Sequence, residues 1–173
     1  EGEGFYSAPS QVARLKEALL KAAADSNVKA ILLRINSPGG TVTASDMIYH
    51  ELRAFKQKRN IPIIASIMDV GASGGYYVAA AADKIFVAKG SIVGSIGVRM
   101  DNFGVVGLME KLGVERRLIT AGKNKAMLDP FLPLDEGHRQ IATDLINEIH
   151  AQFIAAVRDG RGKRLKETPD MFS

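Results

Sequence analysis

The sequence predicts an α/β fold, a mainly parallel sheet covered by helices. Three observations carry this. Short apolar runs of strand length alternate with segments of helical apolar spacing, the connections between them are short and rich in glycine and proline, and no internal repeat or low-complexity linker interrupts the order. At 173 residues, with 46% hydrophobic and 24% charged residues, the composition is that of one globular domain large enough to bury its own core. Residues 1–173 are therefore expected to form a single domain.

The elements follow in order. Val12, Leu15, Leu19 and Ala22 recur at helical spacing between Ser10 and Ala24, and "DSN" at 25–27 ends that helix. "KAILLRIN" (29–36) reads as a buried strand closed by "SPGG" (37–40). From Thr43 to about Arg59, Ile48, Leu52 and Phe55 form a helical face, with Thr43 or Ser45 suited to cap its start. "IPIIASIM" (61–68) is the next buried strand, and "GASGGYYVAAAAD" (71–83) predicts a helix starting at or just after Ser73. "DKIFVAK" reads as a strand, "GSIVGSIGV" as a glycine-punctuated turn with a short strand, and "FGVVGLMEKLG" as a short helix. "VERRLIT" (114–120) is expected to be a fourth, less apolar strand. A long helix from about Asp135 to Arg158 carries Ile141, Leu145, Ile149, Phe153 and Val157 on one stripe and is expected to stop at Gly160. The polar tail "RDGRGKRLKETPDMFS" is expected to be loosely held or to continue into further sequence.

Composition narrows the function classes. Cysteine is absent, which excludes thiol nucleophiles, thiolate metal sites and disulfides. No apolar run of membrane-spanning length occurs, and the acidic start "EGEGFYS" is not a signal peptide. The net charge of +4 matches a local cluster, Lys111, Arg116, Arg117, Lys123 and Lys125, opposed by Glu115. With 6% aromatic residues, no tryptophan and no recognition motif, that cluster reads as a solvated basic surface, and no nucleic-acid partner is expected.

The chemistry centres on Ser73. Gly71-Ala72-Ser73-Gly74-Gly75 satisfies G-x-S-x-G, in which a serine on a tight strand-to-helix turn holds its hydroxyl clear of the backbone. The same pattern also arises where two elements merely pack closely. A serine hydroxyl needs a base, and the three histidines, His50, His138 and His150, all fall in predicted helices, with none within sixty residues downstream. Lysine is the alternative, provided it is neutral. From an ordinary pKa near 10.4 that demands a fall of about 3, costing roughly 4 kcal/mol, which burial and neighbouring cations favour. "AGKNKAMLDPFLP" offers Lys123 and Lys125; the competing view is that both are exposed loop lysines. The "SPGG" turn offers Gly39 or Gly40 as an oxyanion donor beside the Gly74 amide, or is a plain Pro-Gly turn.

Four segments, "LLRINSPGGTVTASDMIYHEL", "ASIMDVGASGGYYVAAAADKIFV", "GSIVGSIGV" and "GKNKAMLDPFLPLDE", occur in an order that resembles signal peptide peptidase A, the SppA-type serine peptidases, over about residues 10–160. "INSPGG" alone is shared with the Clp protease proteolytic subunit and the crotonase-like superfamily. The resemblance implies a Clp protease/crotonase-like fold and a serine endopeptidase with a Ser73/Lys125 dyad, Gly40 and Gly74 as oxyanion donors, and Ser95 orienting the lysine. It implies no cofactor or metal, and cleaved signal peptides as substrates. It further implies a homo-oligomeric ring or dome, and a membrane-associated, extracytoplasmic core whose anchor lies outside this chain. Ala126 stands where many relatives carry an acidic residue, and an expected leading strand and trailing strand-helix pair are not recognisable, so the chain is expected to be the catalytic core of a longer protein. The alternatives are a Ser-His-acid hydrolase using His138 or His150 and a non-catalytic acyl-binding scaffold.

Overall fold

The computed structural model describes residues 10–172; the acidic start lies outside them. The chain divides into two compact units. One holds the chain up to Gly97 together with Gln152 onward, and the other is Val98–Ala151.

In the first unit α1 (Gln11–Ala24), β1 (Ile31–Ser37), α2 (Val42–Arg59), β2 (Ile63–Ala72), α3 (Gly74–Ala80), β3 (Lys84–Val87) and β4 (Ile92–Gly94) follow in order. All four strands are parallel. β2 is central, flanked by β1 and β3 along its first half and joined by β4 at Val70–Ala72. Alternation explains how β2 sits: Ile63, Ala65 and Ile67 are buried on one face while the residues between them are half-buried. The buried face meets Leu52 and Phe55 of α2, Leu19 of α1 and the alanine run Ala79–Ala82.

Helix ends are closed by local chemistry. Ser10 Oγ accepts from Ala13 N at 3.2 Å and Thr41 Oγ1 accepts from Ala44 N at 3.4 Å, so Thr41, not Thr43 or Ser45, caps α2. The cap thus lies two residues before Thr43: Thr41 is extended at φ −65°, ψ 143°, and the helix begins at Val42. The Arg59 guanidinium donates to the carbonyls of Ala22, Ala23 and Asp25, closing the end of α1.

The second unit contains α4 (Val106–Leu112), ended by Gly113 at φ 64°, and the start of α5 (Glu136–Arg161). The expected fourth strand is not formed. Residues 114–120 are exposed throughout, with Ile119 95% exposed, and no strand within the unit offers a ladder for their backbone groups. Arg116 instead pairs with Asp129 at 2.6 Å and stacks over the Phe131 ring at 5.2 Å. The Arg116 bond and the Phe131 amide hold the Asp129 carboxyl below the usual carboxylate range.

The apolar stripe of α5 is used in halves. Phe153 and Val157 are buried in the core of the first unit, whereas Ile141 and Leu145 are exposed. Gly160 does not end this helix, which runs to Arg161 before a single 3-10 turn, Gly162–Arg164. A Cβ at Gly160 would stand 2.0 Å from the Ala80 carbonyl oxygen, so glycine here permits backbone contact with α3; the left-handed turn falls on Gly162 at φ 49°. The tail is not loose. Arg158 pairs with Glu167 at 2.7 Å, and Leu165 and Phe172 pack on the core.

Candidate active site

Ser73 stands where β2 ends and α3 begins, in the backbone conformation φ 50°, ψ −124°. A side chain pays for this region in strain of order 1–3 kcal/mol, so the surroundings must hold it there. They do so through the backbone. Ser73 N donates to Gly94 O at 2.9 Å, extending the β2–β4 pairing by one residue, and Ser73 O accepts from Tyr76 N and Tyr77 N, both at 2.9 Å. Ser73 occupies the N-cap position of α3, yet its hydroxyl makes no capping bond, unlike those of Ser10 and Thr41. The Oγ atom is left available for chemistry.

The glycine turn between β1 and α2 fits against this elbow. Gly39, at φ 122°, lies so close that a Cβ there would stand 2.8 Å from Ser73 Cβ, 3.1 Å from Ser73 Oγ and 3.2 Å from Gly74 N. A Cβ on Gly74 would stand 3.2 Å from Gly40 N, and one on Gly75 2.7 Å from Ser37 O. Two turns that are far apart in sequence thus interlock through missing side chains. Gly40 has open space where a side chain would go. The backbone of Gly39–Gly40 is therefore packed against Ser73 and Gly74, with Gly40 N on the side of Gly74 that a Cβ would occupy.

The strand ends are adjusted to make this fit. Pairing of β1 with β2 shifts between Ile35↔Ile67 and Ser37↔Gly71, and the Asn36 side chain fills the irregularity, accepting from Val70 N at 3.1 Å and donating to Asp69 Oδ2 at 3.3 Å. Ser95, at φ 51°, follows the carbonyl that holds Ser73 and is exposed. Ser73, Gly74, Gly40 and the Gly94–Ser95 turn are thus assembled within the first unit.

Lys125 belongs to the second unit. It lies on an exposed turn, its amide donating to Gly122 O at 3.2 Å. Its neighbours Lys123 and Ala126 line an apolar groove of about 670 Å³ with Phe103, Leu118, Leu132 and His138. His50 pairs with Asp46 at 3.3 Å, and Asp46 also accepts from Tyr77 Oη at 2.9 Å; burial, then that bond, push the Tyr77 phenol above its ordinary range.

Sequence reasoning offered Ser45 only as a cap for α2. It lies on the buried stripe Ser45, Tyr49, Leu52, Phe55 of α2, and a hydroxyl at that spacing was the available signal. A Cβ on Gly74 would stand 2.2 Å from Ser45 Oγ.

The peptidase family S49 model matches residues 55–170. The chain belongs to peptidase family S49. Residues 8–91 of this S49 chain also match the Clp protease model, in keeping with the α/β class and parallel sheet. Among similar proteins, a candidate protease of Methanocaldococcus jannaschii is 38% identical over 93% of the S49 chain and 51% of its own length. Protease 4 of Salmonella typhi is 36% identical over 99% of the S49 chain and 26% of its own. A Na(+)/H(+) antiporter, NhaA, of Brucella melitensis is 44% identical over 90% of the S49 chain and 21% of its own length. The chain thus spans between about a fifth and a half of the length of these relatives.

Proposed function

We propose that the chain is the catalytic core of a serine endopeptidase working through a Ser73/Lys125 dyad. The observation that carries this is Ser73 itself, a non-glycine residue at φ 50° on a strand-to-helix turn, with no capping bond from its hydroxyl and the glycine turn after β1 packed against it. A neutral Lys125 takes the Ser73 Oγ proton as the oxygen adds to the scissile carbonyl carbon. Gly40 and Gly74 amides bind the oxyanion, the lysine ammonium returns the proton to the leaving amine, and a water deprotonated by the same lysine releases the acyl group.

Lys125 is exposed in the single chain, and the loss of water that a neutral lysine requires would be supplied by substrate or a neighbouring copy. This supports assembly into a homo-oligomeric ring or dome, with Ser95 orienting the lysine. The substrates proposed are cleaved signal peptides, and the site of action the extracytoplasmic face of a membrane, on the strength of the SppA-type resemblance and the protease names of the relatives. Among the described residues no helix is long and apolar enough to cross a membrane.

The test is labelling by a fluorophosphonate, read by mass spectrometry. The adduct is expected on Ser73, lost in Ser73→Ala, and strongly slowed in Lys125→Ala. Labelling that persists in Lys125→Ala but disappears when His138 and His150 are replaced would transfer the role of base to histidine.

A further inference from the structure

Ser45 is the one buried polar residue among the described residues of the core, 9% exposed, and it sits in the first turn of α2 directly behind the glycine turn. Its Oγ donates to Thr41 O at 3.0 Å, a carbonyl that also accepts Ser45 N at 3.1 Å. A helical serine bonded back four residues is commonplace by itself. What is unusual is the opposite side of the hydroxyl, which lies against Gly74 at the place where any other residue would carry its Cβ, 2.2 Å away. The same Cβ position is 3.2 Å from Gly40 N. One hydroxyl therefore touches the segment Gly40–Thr41 through a hydrogen bond and the segment Ser73–Gly74 through packing.

We propose that Ser45 is a positioning residue for the oxyanion site, its bonded hydroxyl fixing the separation of the Gly40 and Gly74 amides. This rests on the serine peptidase function proposed above. Donors tuned for a tetrahedral intermediate act only within a few tenths of an ångström of the right place, so a spacer between them affects the transition state more than the bound substrate. Ser45 touches neither substrate nor reacting atoms.

The experiment compares Ser45→Ala, Ser45→Cys and Ser45→Thr in the full chain. The measurements are kcat and KM on a peptide amide, affinity for a peptide aldehyde, affinity of the uncleaved peptide in the Ser73→Ala background, and thermal unfolding. Ser45→Ala is expected to lower kcat about tenfold, less than the ~10²–10³ lost on deleting an oxyanion donor, and to weaken the aldehyde in proportion. KM and peptide affinity stay within about twofold, since uniform binding is untouched. Ser45→Thr, which keeps the hydroxyl, recovers most of kcat; Ser45→Cys, with a weak donor of similar volume, shows the same split as alanine and serves if alanine does not fold. Unchanged kcat and aldehyde affinity, or a loss in which peptide and aldehyde affinity fall together, overturns the role of Ser45 alone. A wild-type chain without turnover or Ser73 labelling overturns the peptidase function and the inference with it.

Discussion

The amide of Ser73 donates to the carbonyl of Gly94 at 2.9 Å, so the N–H of the proposed nucleophile is committed to the sheet. It is not free to bind an oxyanion. The proposed mechanism therefore draws its donors from Gly74 and from the turn after β1, and depends on the fit of that turn.

Gly39 and Gly40 are expected to behave oppositely. Alanine at 39 would meet Ser73 Cβ at 2.8 Å and keep a left-handed φ of 122°, whereas alanine at 40 meets nothing and retains its amide. Gly39→Ala should cost about 10² or more in kcat/KM, on the scale of losing one oxyanion donor, and Gly40→Ala less than about tenfold. Steady-state kinetics on one peptide substrate checks both.

Replacing Ser73 separates strain from chemistry. Ser73→Ala and Ser73→Gly are both expected to abolish turnover, but glycine accepts φ 50° without a Cβ penalty. Ser73→Gly should therefore be more stable than Ser73→Ala by about 1 kcal/mol in denaturant unfolding.

At the second unit, Lys125→Arg should be as inactive as Lys125→Ala, because a guanidinium does not give up its proton. Lys123→Ala should retain most activity. Equal losses at both lysines would indicate a shared binding role.

Asp83 ties the end of the alanine run to the start of β2. Its Oδ2 accepts from Ile63 N at 2.8 Å and its Oδ1 meets Lys56 Nζ at 2.5 Å. Burial pushes the carboxyl up, but the Lys56 and Ile63 bonds, with Arg164 nearby, outweigh burial and hold it below the ordinary value. Because the folded carboxyl is the stronger acid, its contribution is complete above the ordinary aspartate pKa near ~3.9 and is lost as pH falls through the lowered folded value. Asp83→Asn should cost about 1 kcal/mol near neutral pH, with the gap to wild type closing on acidification. Denaturant unfolding at a series of pH values reads it.

Gly160→Ala forces a Cβ to 2.0 Å from Ala80 O. The backbones of α5 and α3 must separate, at about 2 kcal/mol or more of stability.

What the sequence made legible follows the range of each interaction. Ser73 was readable because its glycines and the strand and helix around it lie within a dozen residues. β1, β2 and β3 were readable for the same reason, each carrying its own apolar run. Val114–Thr120 was misread because a strand is made by its partner, and none pairs with it within its unit. Gly160 was read as a stop when its demand comes from Ala80, eighty positions earlier. Ser45 could be seen on the stripe of α2, but Gly74, which gives it meaning, is on another element. Lys125 emerged from family resemblance, since an exposed loop lysine carries no local mark of a base.

The strain at Ser73 ties its backbone conformation to the completed fold. The backbone twist that bares its hydroxyl is held by Gly94 and hemmed in by Gly39, neither of them a sequence neighbour. A nascent or half-denatured chain lacks both and relaxes to an ordinary serine. The conformation of Ser73 is thus a property of the finished sheet and turn, and not of the residues on either side of it.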